Sequence, residues 1–253
     1  MTITTNRKFQ GEFDVSKESA RKQFRVSSGA MRVTDPCYSV DTWCSGQVPA
    51  LDGVWTAHVG YGVDLEELAL ARKFHAEQLQ RAQDDAENVC QRLKLDPGDA
   101  EEIKEAYLRI WRRNEPTEES CQRVQYLHVA HESLALDPTE PIDFASYELV
   151  EGVDVGVDSG QAGFFDLASY TNAVKDRSDT SQDGPAFEKF YREICDQTLS
   201  DDQFGGVDFG AVSSSGYGDG RYPCYVRRND RGEVIAAFIA FIYTGEDEEE
   251  DEE

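Results

Sequence analysis

With 253 residues, 39% of them hydrophobic and 11% aromatic, the chain has enough apolar material for a real core, and its 30% charged fraction is broken by recurrent apolar runs. The formal net charge is −25, and removing the eight consecutive carboxylates at 246–253 still leaves −17, so the body is acidic too. Such a chain repels phosphate backbones and anionic bilayers, which argues against direct nucleic-acid binding and membrane adsorption.

The acidity has three readings: solubility, a salt-rich host cytoplasm (8 Lys stand against 50 carboxylates), or a surface that imitates nucleic acid toward a basic partner. The first residues, MTITTNRKFQGEFDV, contain no apolar signal region, and no run approaches the length of a membrane span. A cytoplasmic location is therefore expected. The six cysteines are widely spaced with no CxxC pair, as befits reduced thiols that behave as small core residues.

Along the chain, residues 19–24 allow a short helix and residues 30–33 a strand that ends at Thr34-Asp35-Pro36, where proline disfavours helix and lacks a ladder donor. Residues 54–61 (VWTAHVGY) read as a strand. Asp64 and Glu67 then have capping-box spacing, and Leu68, Ala71, Phe74, Leu79, Ala82, Ala86, Val89 and Leu93 form a helical stripe. After Asp96-Pro97-Gly98 a second capping pair, Asp99 and Glu102, predicts another helix with Ile103, Ala106, Tyr107, Ile110 and Trp111 as its apolar face. Together they make an antiparallel helical hairpin.

Strand character returns at residues 124–130 and again at 147–157, where Val153, Val155 and Val157 share one face and Asp154 and Asp158 the other. Residues 185–199 predict a third helix carrying Phe187, Phe190, Tyr191, Ile194 and Cys195 on one side. Residues 222–228 and 234–243 flank Asn229-Asp230-Arg231-Gly232 as a β-hairpin, and VIAAFIAFI, apolar on both faces, suits a central strand. The predicted class is α+β: a mostly antiparallel β core with an inserted two-helix hairpin and one further helix. A single domain over residues 1–245, with the hairpin inserted at about 64–116 and a disordered acidic tail at 246–253, is the simplest organisation. Two lobes are the alternative.

Four polar constellations stand out. Ser28-Gly29 precedes Thr34-Asp35-Pro36-Cys37-Tyr38, Asp41, Trp43 and Cys44, where Asp35 either caps a turn or acts as a base or metal ligand. Residues 156–166 place Asp158, Ser159 and Asp166 among three glycines, without the Gly-x-Ser-x-Gly elbow of hydrolases. In residues 213–220, Ser214, Ser215 and Gly216 offer N–H groups to an anion, and Asp219 and Arg221 add opposite charges, without Walker spacing. The plain alternatives for these two segments are a tight turn and a flexible loop between strands. His128, His131 and Glu132 make a poor metal set because the histidines would point to opposite faces, and His58 and His75 look isolated.

The runs GVDSGQAGFFD at 156–166 and SSSGYGDGRYPC at 213–224, with Ser28-Gly29, Asp35-Pro36-Cys37-Tyr38 and the strand around Trp55, resemble a family of uncharacterised β-rich domains of bacteria and phages. The resemblance covers about residues 25–63 and 124–243, with the helical hairpin as a departure, and implies a single β-rich domain with no settled activity.

Two functions follow as expectations. In the first, a pocket gathers Asp35, Asp158, Ser159 and Asp219 as catalytic groups and Asp166, Ser214, Ser215, Gly216 and Arg221 as ligand contacts. Clustered carboxylates serve as acid and base or hold a divalent cation, and suit a hydrolase or transferase acting on a small polar ligand. In the second, the protein is an acidic interaction or inhibitor protein for a basic protein partner.

Overall fold

The computed structural model describes residues 7–134, 140–178 and 182–245; the acidic tail lies outside the described residues. The chain divides into two compact units, residues 63–123 and the remainder.

The larger unit contains two antiparallel sheets. Their strands are β1 (Lys17–Glu18), β2 (Lys22–Val26), β3 (Ala30–Thr34), β4 (Gly46–Pro49), β5 (Gly53–Val63), β6 (Gln122–His131), β7 (Glu148–Val157), β8 (Gln161–Asp166), β9 (Phe204–Val207), β10 (Gly210–Ser214), β11 (Gly220–Arg228) and β12 (Val234–Ala240). One sheet has the order β1-β5-β6-β12-β11-β7, with β2 also on β5; the other runs β4-β3-β8-β10-β9. The expected α+β class is what the structure shows. Of residues 19–24, which allowed a helix, 22–24 lie instead in β2 and 19–21 connect it to β1. Phe24 and Val26 enter the core while Lys22, Gln23 and Arg25 stay exposed, a period-two pattern that burial rewards.

The inner faces of the two sheets enclose the main core, with Trp55, Val59, Leu127, Val155 and Ile239 from the larger sheet and Met31, Val33, Phe164 and Ala211 from the smaller. Strand β12 lies between β6 and β11 and is buried along its whole length, which is why its sequence is apolar at every position. Its alternate residues, Ala236, Phe238 and Ala240, join Phe9, Tyr147 and Tyr225 in a second cluster on the outer face.

The outer face of the smaller sheet packs Phe165 and Val212 against two helices, α3 (Leu167–Ala173) and α4 (Pro185–Thr198), once α1 (Leu65–Leu93) and α2 (Pro97–Arg113) are numbered in the other unit. Helix α4 is the predicted one. Helix α3 adds to the expected set: it is seven residues long, too short for a periodic signal, and it starts because Asp166 accepts a hydrogen bond from the Ser169 N–H.

In the smaller unit Asp64 caps α1, accepting from Glu66 and Glu67 N–H as its spacing implied. Helix α2 starts earlier than the Asp99–Glu102 pair suggested, with Pro97 in its first turn, where a missing N–H costs nothing. Its buried residue is Leu108; Ile103, Tyr107 and Ile110, the apolar face read from the sequence, remain exposed.

Candidate functional site

Asp35 follows β3 and is fully buried. One carboxylate oxygen accepts from the Cys37 N–H (2.8 Å) and the Ser159 hydroxyl (2.7 Å); the other accepts from the Asp158 N–H (2.9 Å) and the Ser159 N–H (2.7 Å). Four donors leave a buried carboxylate well satisfied and stitch the turn after β3 to the β7–β8 turn. Gly160 holds that turn in the left-handed region at φ +70°. The Ser159 oxygen also accepts from Gln161 Nε2 (3.2 Å), whose carbonyl oxygen takes the Thr198 hydroxyl of α4 at 2.6 Å. The Cys37 thiol is pushed up by burial and then by Asp35, so it is not an activated nucleophile.

Asp166 repeats this construction at the far end of β8. One oxygen accepts from the Ser27 N–H, the Ser28 N–H and the Ser28 hydroxyl; the other accepts from the Ser169 N–H and hydroxyl, all within 3.0 Å. Burial pushes this carboxyl up, but the hydrogen bonds led by Ser169 win and hold it below its usual range. Strand β3 pairs Met31 with Asp166 and Thr34 with Gly163, so Asp35 lies toward the other end of β8. At strand rise, the five steps from Gln161 to Asp166 span about 16 Å. The structure therefore separates Asp166 from the group around Ser159, and the single pocket expected to hold both is divided by the length of a strand.

The 213–220 segment also differs from a loose loop. Ser213 and Ser214 belong to β10, and Ser214 pairs with Gln161 of β8. The Ser214 N–H goes to the Gln203 carbonyl, its hydroxyl to Gln203 Oε1, and the Ser215 N–H to the Gly160 carbonyl. The Ser215 hydroxyl and the Tyr222 phenol both donate to the Gly218 carbonyl. Gly216, at φ +68°, leaves no room for a side chain beside Ile242 and the Val124 carbonyl. The donors expected to cradle an anion at Ser214 and Ser215 are thus engaged within the fold.

Asp158, Asp219 and Arg221 remain at the surface, all exposed. Strand β11 pairs Gly220 with Val157 and Arg221 with Gly156, so Asp219 and Asp158 are the next residues beyond the last pair, at adjoining strand ends. Beside them is a cleft of about 220 Å³ lined by Tyr38, Thr42, Trp43, Cys44, Asp158 and Arg221, among others. The Arg221 guanidinium lies 4.8 Å from the centre of the Trp43 ring, which is itself 78% exposed. Burial, then a hydrogen bond to Asp158, raises the Tyr38 phenol. Sequence reasoning placed Tyr38 and Trp43 beside Asp35 without giving them a role; a tryptophan in a polar, proline-containing segment was the available signal.

Among the described residues no group of three or more His, Cys, Asp or Glu is arranged to hold a metal ion. His58 is not isolated: its ring centre lies 4.9 Å from that of His128, and both are buried on the outer face of the larger sheet. No described helix is long and apolar enough to cross a membrane.

The model of one protein family, described as Protein of unknown function (DUF4241), matches residues 24–239. The chain belongs to this family. The matched span runs through both sheets, the cleft and the helical unit. No curated protein and no solved structure matches the chain.

Proposed function

We propose that this member of the family binds a small polar ligand in the cleft between residues 38–44 and the paired ends of β7 and β11. The observation that carries this reading is the Arg221 guanidinium stacked on an exposed Trp43, with the Asp158 carboxylate lining the same cleft. An aromatic platform with one cation and one carboxylate suits a ligand that offers a flat or hydroxylated face and both donor and acceptor groups. Asp35 and Ser159 serve the site by fixing the backbone of Asp158.

The reaction class that fits is hydrolysis or group transfer, with Asp158 and Asp219 as the acid and base pair. The same two carboxylates, at adjoining strand ends, would also suit a divalent cation that draws its other ligands from substrate and water.

The alternative, an acidic interaction or inhibitor protein for a basic partner, draws support from the net charge of −25 and from the uncovered apolar side chains of α2. A thermal-shift screen against divalent metals, nucleotides and polar metabolites separates the two. We expect a ligand that stabilises the unmutated chain and loses its effect with Asp158→Ala, Arg221→Ala or Trp43→Ala. Stabilisation that survives all three substitutions overturns the cleft as its site, and no stabilisation by any ligand in a folded sample favours the alternative.

A further inference from the structure

A second cavity, of about 420 Å³, opens on the outer face of the larger sheet and shares no lining residue with the cleft described above. Its apolar part includes Phe13, Tyr126 and Phe144, three rings that are mutual neighbours. Their centres are 4.9 Å apart for Phe13 and Tyr126, 4.8 Å for Phe13 and Phe144, and 4.9 Å for Tyr126 and Phe144, with interplanar angles of 60°, 64° and 61°. They therefore form one aromatic cluster at the cavity, whose exposed ring surface comes from Phe13 and Phe144. Tyr126 is buried in β6, while Phe13 and Phe144 are half-buried in the segments that cross the outer face.

The charged residues of this cavity are of one sign. Glu12, Glu18 and Asp143 line it, all three exposed, and among the described residues no Lys, Arg or His lines it. Glu18 is anchored on this cluster, accepting from the Tyr126 hydroxyl at 3.1 Å. Burial and then Glu18 push the Tyr126 phenol up, and Arg21, which does not line the cavity, offsets this only in part. An electron-rich ring surface bordered by carboxylates attracts a cation through the ring quadrupoles and the rim charges together, while the rings supply apolar contact area. A neutral ligand would gain only the contact area. An anion would be repelled.

We infer that this cavity is a binding site for a small organic cation, an ammonium or quaternary ammonium group carried on an apolar body. Its volume falls within the range of ligand sites, about 300–1,000 Å³. The site stands apart from the Trp43 cleft, and Asp158 belongs to that cleft alone.

The test is calorimetric titration of the full chain with benzyltrimethylammonium and phenethylammonium, set against the neutral 3,3-dimethylbutanol. Saturable binding of both cations is expected, with the neutral compound at least about tenfold weaker. Glu18→Gln combined with Asp143→Asn removes two charges while preserving shape, and should weaken cation binding about tenfold. Asp158→Ala should leave it unchanged. Equal binding of the neutral compound, cation affinity untouched by the double substitution, or no saturable binding up to about 20 mM would each overturn the inference.

Discussion

Every oxygen of Asp35 and Asp166 is engaged; six of the nine donors are backbone N–H groups, four of them from segments far away in sequence. Removing such a carboxylate strands several buried donors together. Asp166→Ala is therefore expected to cost about 2–4 kcal/mol of unfolding free energy, and Asp35→Ala a similar amount, measured by urea denaturation. Asp158→Ala, at an exposed position, should stay within about 0.5 kcal/mol. If the two buried positions tolerate alanine as well as Asp158 does, their hydrogen bonds do not hold the fold. This contrast matters for function: loss of activity at Asp35 or Asp166 would reflect lost architecture, whereas loss at Asp158 or Arg221 would report on the ligand.

At the scale of elements, α2 shows how a helical pattern specifies a helix without specifying its packed face. Lys104 and Leu108 turn toward α1, where Lys104 pairs with Glu87 at 3.7 Å, and His75 Nε2 lies 2.9 Å from the Trp111 carbonyl. Ile110 is 63% exposed. Leu108→Ala should accordingly destabilise the hairpin by about 2 kcal/mol, while Ile110→Ala should change it by less than about 0.5 kcal/mol. Comparable losses at the two positions, followed by circular dichroism, would show that the apolar stripe read from the sequence is the packed one after all. The 213–220 segment makes the complementary point. Its serines and glycines look like a flexible loop, yet pairing with β8 turns its first residues into strand β10.

Across the whole molecule, the buried histidine pair links stability to pH. Burial lowers His58 to about 4, with Glu18 opposing and Arg21 assisting, and lowers His128 well below its usual value, with His58, Arg21 and Arg227 adding to the effect. His128 shares a 2.7 Å hydrogen bond with the Tyr147 hydroxyl, and neither His58 Nε2 nor His128 Nδ1 has a hydrogen-bond partner among the described residues. Between pH 6.5 and about 4 the unfolded chain binds protons that the folded chain refuses, so stability is complete above 6.5 and falls as pH drops through this window. Asp166, whose carboxyl is lowered from 3.8, loses its contribution only below that pH. Melting temperature should therefore decline below pH 6.5, and the double substitution His58→Leu, His128→Leu should flatten the decline above pH 4. An unchanged slope in that variant would place the proton uptake elsewhere.

Local pattern determined much of the protein. The alternating run of β7, the Asp64 cap of α1 and the all-apolar β12 follow from side-chain alternation, capping and burial, which act over a few residues. The tertiary structure alone decided which polar residues meet. The register of β8 sends Asp35 and Asp166 to opposite ends of one strand, and the register of β7 with β11 leaves Asp219 and Asp158 at adjoining strand ends. It also brought His58 against His128 and Phe13 against Tyr126 and Phe144. Those neighbours are up to 131 positions apart in the chain (Phe13 to Phe144), and their meeting depends on pairing between strands and on segments folding back over a sheet, which no short-range periodicity encodes.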